Sequence, residues 1–400
     1  QSAFGEVAIS GAENMDAGFL KGLAPFEPGD RFKAATLNDY RSDLERLSVF
    51  SAVAMDEAKS LDPQGRLPIT VVVAERPLHV VGVSVSWSTL EGAALGAHWT
   101  HRNLWGQAEQ LRIEAQTARL LSNGTDDYEY GLGAALTLPA TPTRRDDLVF
   151  TVAAKRERPD AYERDAVLGE FRIRRRFDKT LQGEAAVGFT QSRETDALGT
   201  RDRSTVQVPV TLAYDTRDNI LDATRGIRAS AGVQPIVNLT RGAGVAGRFD
   251  AAASTYLALD ENSVLAGRVA LGVSAAATVT DLPVDLRFFA GGGGSVRGYE
   301  YQALSPRNAI NQIIGGRSLI EGSLELRSWL WDDIGVAAFA DAGAASSSNV
   351  PEFGDIGVGV GLGVRYRTPV GPVRLDVAVP LDPPLGDPNY GVYVALGQAF

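Results

Sequence analysis

Few residues in this chain have the types and spacing of a catalytic or metal site. The sequence has three histidines and no cysteine, which excludes thiolate ligands, disulfides and cysteine nucleophiles. His98 and His101 are three positions apart in a segment that alternates like a β-strand, so we expect them on opposite faces, where they cannot share a metal. Residues 242–247 match a dinucleotide-binding fingerprint, but no helix follows them. We therefore expect neither an enzyme nor a cofactor.

One arginine and two carboxylates indicate a different, structural chemistry. Arg297 lies in a glycine-rich stretch, and Glu325 and Asp341 occupy polar positions of two alternating segments that follow it. If those segments are neighbouring strands, both carboxylates face the same side. A single guanidinium then reaches both through charge-assisted hydrogen bonds, in a forked geometry that lysine does not reproduce. This pattern predicts a loop anchored by Arg297, and the alternative is a solvated arginine in a mobile loop.

Length, charge and hydropathy limit the class of protein. The 400 residues include 39 basic and 49 acidic side chains, and the net charge of −10 disfavours binding to nucleic acid. No apolar run approaches the roughly 18 residues of a membrane helix, which excludes a helical membrane protein. The sequence does not open with a basic and then apolar segment, so we expect any signal peptide to have been removed already or to lie outside this sequence.

From Leu78 onward the hydrophobic residues alternate with a period of two. The clearest example is 356–366, where one face is wholly apolar and the other carries glycine and arginine. Such segments last about 10 to 15 residues, which exceeds both the usual soluble strand and the 9–11 residues that a tilted strand needs to cross a bilayer. The alternation predicts a mainly β fold built around an antiparallel transmembrane β-barrel.

The barrel is predicted to have sixteen strands. An even number places the start of the first strand and the end of the last strand on one side of the membrane, so the long external loops should follow odd-numbered strands. The long connections at 158–164, 194–202, 236–246 and, above all, 277–317 all do so. The predicted segments are 80–87, 94–101, 109–119, 127–139, 146–157, 165–177, 181–193, 203–215, 225–235, 247–260, 262–276, 318–330, 333–343, 354–368, 372–381 and 390–400.

The residues before the barrel predict a small α+β domain. Their patterns follow the order β-α-α-β-β, which divides the chain into a domain at 1–77 and a barrel at 78–400. Two helices cover one face of such a sheet and leave the other face and an edge available. The simplest interpretation is a generic α+β domain, and a more specific one is a docking domain that extends its sheet with an incoming strand.

Several short motifs, in order, resemble those of the Omp85 superfamily. Val296, Arg297, Gly298 and Tyr299 resemble its Arg-Gly-aromatic loop motif, and the N-terminal unit is similar to a POTRA domain. Within the superfamily, 102–106 and 397–400 are most similar to the TamA branch, the outer-membrane subunit of the translocation and assembly module. Further matching segments are 214–219, 224–226, 322–327, 339–343, 371–376 and 396–400.

The resemblance implies that the motif loop lies inside the barrel with Arg297 against Glu325 and Asp341, and that the barrel opens laterally between its first and last strands. The residues themselves favour the same seam, because 80–87 is short and contains a glycine and three serines. An opened seam offers unpaired backbone groups at membrane depth to an incoming strand. The predicted lateral gate consists of Val81, Gly82, Val83, Val85, Trp87, Val392, Val394, Leu396 and Phe400.

The resemblance further implies a factor that folds and inserts outer-membrane β-barrel or autotransporter clients in a Gram-negative bacterium, with its POTRA-like domain in the periplasm. The implied partners are unfolded client proteins, outer-membrane lipids and a TamB-like protein anchored in the inner membrane. One alternative is a two-partner-secretion translocator that exports a polypeptide through the lumen. A passive porin is disfavoured, because a porin needs no docking domain.

Overall fold

The computed structural model describes residues 2–120, 128–240, 244–369, 371–383 and 388–400. In this part of the chain, a small α+β domain precedes a closed β-barrel. No helix among the described residues is both long and apolar enough to span a membrane.

The N-terminal domain has the predicted order of elements. Its strands are β1 (Ala3–Ser10), β2 (Phe50–Glu57) and β3 (Arg66–Glu75), and its helices are α1 (Ala17–Gly22) and α2 (Ala34–Glu45). β3 is central, parallel to β1 and antiparallel to β2. Alternate residues of β3 enter the core beneath the helices, while Val72 on the opposite face is exposed. The two helices therefore cover one face of the sheet only.

The helices are fixed by local hydrogen bonds as well as by packing. The Asp16 carboxylate accepts hydrogen bonds from the N–H groups of Gly18 and Phe19, which caps the start of α1. The buried Tyr40 hydroxyl of α2 donates to the Leu20 carbonyl at 2.7 Å and ties the two helices together.

The remainder of the described chain forms the predicted sixteen-stranded antiparallel barrel. One strand position is shared by two segments, so the barrel is numbered as seventeen strands. They are β4 (His79–Ser88), β5 (Gly92–His101), β6 (Gln110–Leu120), β7 (Glu129–Leu138), β8 (Asp146–Glu157), β9 (Tyr162–Arg176), β10 (Leu181–Asp196), β11 (Gly199–Gln207), β12 (Val210–Asp215), β13 (Gly226–Asn238), β14 (Val245–Ala258), β15 (Ser263–Ala275), β16 (Ser318–Trp329), β17 (Ile334–Ser346), β18 (Gly357–Tyr366), β19 (Val373–Pro380) and β20 (Gly391–Leu396).

The predicted strand 203–215 is interrupted in the middle. β11 and β12 both pair with β10 on one side and β13 on the other, so together they occupy one position in the barrel. The break falls at Val208 and Pro209. Proline has no N–H to donate to the ladder, which explains the interruption.

The residues predicted to form an external loop at 194–202 mostly belong to strands. β10 continues to Asp196 and β11 begins at Gly199, so the two strands meet in a tight hairpin. The polar side chains of this region had concealed the alternation that continues through it.

The barrel exposes an apolar outer face and encloses a polar lumen. Outward side chains such as Val83 and Leu362 are 73% and 69% exposed, whereas their strand neighbours point inward. The end at which the N-terminal domain lies is called the domain end here, and the opposite end, which carries residues 276–317, is called the loop end.

The N-terminal domain is bound to two turns at the domain end. The turn after β5 contributes Ala108 to the core of the domain, and the Gly106 carbonyl accepts a hydrogen bond from the Asp16 N–H at 2.8 Å. The turn before β8 and the start of β8 form two reciprocal ion pairs with the end of α2 and the residue after it, Arg144 with Asp43 at 3.0 Å and Asp147 with Arg46 at 3.2 Å. Both turns belong to strands close to β4, which places the domain near the closure of the barrel.

Candidate functional site: the inward loop and the barrel seam

The long loop 276–317 folds into the barrel and places Arg297 against its inner wall. Only 2% of Arg297 is exposed. Its Nε and one terminal nitrogen donate to Asp341 on β17 at 2.7 and 3.0 Å, and the other terminal nitrogen donates to Glu325 on β16 at 3.0 Å. The structure thus brings together the three residues that the sequence placed in one cluster.

Sequence reasoning missed a third carboxylate, Asp376 on β19. It is fully buried and accepts a hydrogen bond from Arg297 at 3.0 Å. Burial by itself would lower the Arg297 pKa, but the three carboxylates outweigh this effect and hold the pKa above its usual value. The Arg297 guanidinium also lies 3.4 Å from the centre of the Phe339 ring, a cation–π contact. The alternation of 373–379 was the available signal for Asp376, because it places that residue on the lumen face.

Further arginines of the wall share these carboxylates. Arg327 and Arg365 both bind Glu325, at 2.7 and 3.3 Å, and Arg374 binds Asp376 at 3.2 Å. Asp341 has no arginine other than Arg297 among its described ion-pair partners, and its additional donor is the Ser323 hydroxyl. Asp341 therefore depends on the loop more than its neighbours do.

Two glycines allow the motif backbone to lie against the wall. Gly298 has φ +100°, and a Cβ there would lie 2.9 Å from the Val379 carbonyl carbon. A Cβ at Gly359 on β18 would lie only 2.0 Å from the Arg297 carbonyl oxygen. Val296 and Tyr299 on either side are buried, and the Tyr299 hydroxyl contacts the Val358 backbone at 3.3 Å. The four motif residues are thus packed as a unit.

The long loop is also attached to the opposite wall. Arg287 pairs with Asp196 of β10 at 2.6 Å, and Asp285 pairs with Arg164 of β9 at 3.0 Å. Leu282 is fully buried against the β13–β14 hairpin. The loop therefore crosses the lumen and is held on both sides of it.

The seam between β20 and β4 has a short ladder. It consists of two residue pairs, Tyr393 with Ser88 and Val394 with Trp87, at the loop end. Other neighbouring ladders in the described part of the barrel are longer, for example ten pairs between β4 and β5. β4 itself spans ten residues, so the expectation of a short first strand was wrong. The short partner is β20, with six residues.

Most residues of the predicted gate lie on the outer face of the barrel. On β4 they are Val81, Val83, Val85 and Trp87, and on β20 they are Val392, Val394 and Leu396. Gly82 faces the lumen, where the His98 ring lies over it: a Cβ there would lie 2.1 Å from that ring. His101 lies on the other face, against His79, with ring centres 4.8 Å apart. His98 and His101 thus diverge as expected. Among the described residues, no group of three or more His, Asp or Glu side chains is arranged to hold a metal.

The geometry can be compared with known proteins. The family model described as the Omp85 superfamily domain matches residues 103–400. The chain belongs to the Omp85 superfamily. This agrees with the resemblance seen in the motifs and with the sixteen-stranded barrel.

A curated protein matches part of the chain, and solved structures share its fold. "Outer membrane protein assembly factor BamA" of Nitratidesulfovibrio vulgaris is 35% identical over 136 residues, which cover 32% of this chain and 17% of that protein. The matched region is therefore about a sixth of that relative. The crystal structure of BamA from Haemophilus ducreyi lacking POTRA domains 1–3 has a TM-score of 0.78 at 16% identity, covering 99% of this chain and 85% of that one. CdiB from Acinetobacter baumannii has a TM-score of 0.71 at 15% identity, covering 99% and 74%.

The last four residues of this Omp85 chain depart from the predicted strand 390–400. β20 ends at Leu396, and Gly397 has φ +86°, which turns the chain inward. Phe400 then packs against Tyr256 in the lumen, with its ring 5.4 Å from the Arg327 guanidinium. Phe400 is therefore not part of the gate wall, which corrects the predicted gate. Gly397 was the signal in the sequence, because glycine favours this left-handed conformation.

The inward tail is held by a turn of the Omp85 barrel. The Gln398 side chain donates to Asp222 at 2.9 Å, in the turn between β12 and β13, and accepts from Arg365 at 3.0 Å. Ala223 of the same turn packs beside Phe400. The turn was noted in the sequence as a family motif, whereas its contact with the chain terminus was not predicted.

The dinucleotide-like match at 242–247 falls partly outside the described residues. Its described part includes the start of β14, and no helix follows it.

Proposed function

We propose that this Omp85 protein is an outer-membrane assembly factor that folds and inserts β-barrel or autotransporter clients through its seam. The observation that carries the proposal is the free edge of β4. The Thr89 N–H donates to the Val392 carbonyl across the seam at 3.0 Å. Because alternate residues of an antiparallel strand point the same way, Val81, Val83 and Val85 also direct their N–H and C=O groups at the seam. The two-pair ladder does not reach them.

This free edge is a template for another strand. An unpaired backbone group in hydrocarbon carries a penalty of about several kcal/mol, which a client strand removes by pairing with β4. A cavity of about 690 Å³ lies beside the edge and is lined by Ser84, Ser86, Gln116 and Ala395, among others. Its volume and the polar side chains within its lining suit the lumen-facing side chains of an incoming strand. The chemistry is strand exchange, so the proposed factor is not an enzyme.

The N-terminal domain is proposed to act as a POTRA-like docking domain in the periplasm. Part of the β1 edge is already occupied, because Phe4 and the preceding Ser2 form backbone hydrogen bonds with the segment 29–32. β2 is the other edge strand of the sheet. We propose that clients or a TamB-like partner pair with β2, which the barrel contacts hold near the seam. Assignment to the TamA branch rests on the sequence resemblance of 102–106 and 397–400.

A disulfide across the seam tests the gate. Trp87→Cys and Val394→Cys face each other in the ladder, and the natural chain has no cysteine to interfere. The oxidised double variant is expected to lose assembly of clients into proteoliposomes, and reduction is expected to restore it. Leu265→Cys with Leu326→Cys, across the intact β15–β16 ladder, is the matched control and should remain active when oxidised. Full activity of the locked seam would reject the gate.

Export through the lumen is the alternative that the same variants distinguish. Export does not need the seam, so a translocator would stay active with the seam locked. It would instead require the long loop to leave the lumen, against its ion pairs on both walls. Co-purification from envelope extracts separates the two further: a TamB-like partner supports assembly, and a single secreted protein supports export.

A further inference from the structure

The long loop contacts both sides of the seam. On the β4 side, the Gly293 N–H donates to the Glu91 carboxylate at 2.7 Å, and Glu91 lies in the turn that joins β4 to β5. On the β20 side, the Gly298 N–H donates to the buried Tyr393 hydroxyl at 2.9 Å. One segment of six residues therefore connects the first hairpin of the barrel to its last strand.

The contacts on the two sides meet at adjacent glycines. Gly292 has φ +98°, and a Cβ there would lie 2.7 Å from the Glu91 carboxylate. A Cβ at Gly293 would lie 2.9 Å from the Tyr393 ring. A side chain at either position would displace Glu91 or Tyr393. The contacts of the loop with Glu91 and with Tyr393 therefore depend on glycine at both positions. Glu91 is further held in place because its own N–H donates to the Ser88 hydroxyl at 2.9 Å.

The paired part of the seam coincides with these contacts. Ser88 and Tyr393 form one of the two ladder pairs, and the Thr89 N–H bonds to Val392 beside them. The unpaired stretch 81–85 lies toward the domain end, beyond Glu91 and Gly293. The seam is thus closed where the loop contacts both of its strands.

We infer that Glu91 is a positioning residue that, through the motif loop, keeps the loop end of the seam paired. The inference rests on the proposed role of the seam as a gate. Glu91 fixes the loop to the β4–β5 hairpin, and Tyr393 with the Arg297 anchor fixes the same loop to the C-terminal strands. Loss of the Glu91 contact uncouples the two sides and leaves the two ladder pairs to hold the seam alone.

Hydrogen exchange of the full-length protein in nanodiscs, without clients, tests this inference. The Thr89 amide, which donates across the seam, is expected to exchange about 10-fold faster or more in Glu91→Ala, because a hydrogen bond to a charged acceptor is lost. Glu91→Gln keeps an acceptor without charge, so its increase should be smaller, about 3-fold. Tyr393→Phe removes the acceptor on the other side and should also accelerate Thr89 exchange.

Asp178→Ala is the matched control. The Asp178 carboxylate also accepts backbone N–H groups, from Thr180 at 2.7 Å and Leu181 at 2.8 Å, but in the turn between β9 and β10, which is far from the seam in the strand order, so its variant should leave Thr89 exchange unchanged. If Glu91→Ala does not fold, Glu91→Gln and Tyr393→Phe carry the test. Wild-type exchange in both would overturn the inference. Faster exchange together with unchanged client assembly would support the positioning role of Glu91 and count against the gate function instead.

Discussion

Removing Arg297 tests whether the loop anchor stabilises the barrel. Arg297→Ala deletes four side-chain hydrogen bonds to Asp341, Glu325 and Asp376. Glu325 keeps Arg327 and Arg365, so most of the effect falls on Asp341. That carboxylate is 2% exposed and retains the Ser323 hydroxyl. Removing one partner of a buried ion pair typically destabilises a protein by about 3–5 kcal/mol, and we expect a loss of that order.

Further variants test which interaction of Arg297 accounts for the lost stability. Arg297→Lys keeps the charge without the fork, so it should be less stable than the wild type by about 1.5–3 kcal/mol. Arg297→Ala combined with Asp341→Asn should recover part of the loss, since no unpaired carboxylate remains. Glu325→Ala should also loosen the barrel, because it removes a shared partner of three arginines.

The assay is the temperature at which the folded, fast-migrating band converts to the unfolded band on a gel, followed by client assembly of the same samples. Arg268→Ala is the matched control: Arg268 is a lumen arginine paired with Glu321 at 3.2 Å but partly exposed, so its loss should amount to about 1 kcal/mol or less. Wild-type transition temperatures and assembly in both Arg297→Ala and Glu325→Ala would refute the anchor. If Arg268→Ala lowers the transition temperature as much as Arg297→Ala does, the loss of stability follows from removing any lumen arginine and not from the loop anchor.

Two further predictions concern the domain end. Arg144→Asp should weaken the contact between the N-terminal domain and the barrel, and so speed protease cleavage of the linker at 76–78 by about 2- to 5-fold. Adding Asp43→Arg should restore the ion pair and the slower cleavage. If the double variant is cleaved as fast as Arg144→Asp, the ion pair does not hold the domain. Asp218→Ala should accelerate amide exchange at Thr224 and Arg225 by about 5- to 150-fold, since both N–H groups bond to its carboxylate, and unchanged exchange would contradict the role of Asp218. Partial desolvation opposes ionisation of Asp218, but these hydrogen bonds hold its pKa below the ordinary value. Its contribution should therefore be present above about pH 4 and lost as pH falls further.

Most of the barrel could be predicted because each strand has one face toward lipid and the other toward the polar lumen. A period of two is then imposed on every strand, and the number of strands and the order of long and short connections follow from it. The pattern failed where another constraint acts. Pro209 removes a ladder hydrogen bond inside a segment whose hydrophobic residues alternate. Gly397 turns the chain out of the strand although the alternation of 390–400 predicts that the strand continues.

The anchor could be predicted in part for a related reason. Arg297, Glu325 and Asp341 stood out because a motif and the parity of two adjacent strands selected them. Asp376 was missed because its partnership depends on how deep the loop enters the barrel. Glu91 was missed because its contact joins residues 202 positions apart, and no local pattern encodes such a contact.

The open edge of β4 and the inward tail have one physical cause. Val394 lies opposite Trp87, so continuing β20 in the same register would place Leu396 opposite Val85 and Phe400 opposite Val81. The four residues after Leu396 therefore have the length needed to complete the ladder along the unpaired stretch of β4. They cannot do so while Gln398 bonds to Asp222 and Phe400 packs in the lumen. The seam is open at the domain end because the residues that would close it are bound inside, so the contacts of the tail oppose closure just as the contact of Glu91 opposes opening at the other end.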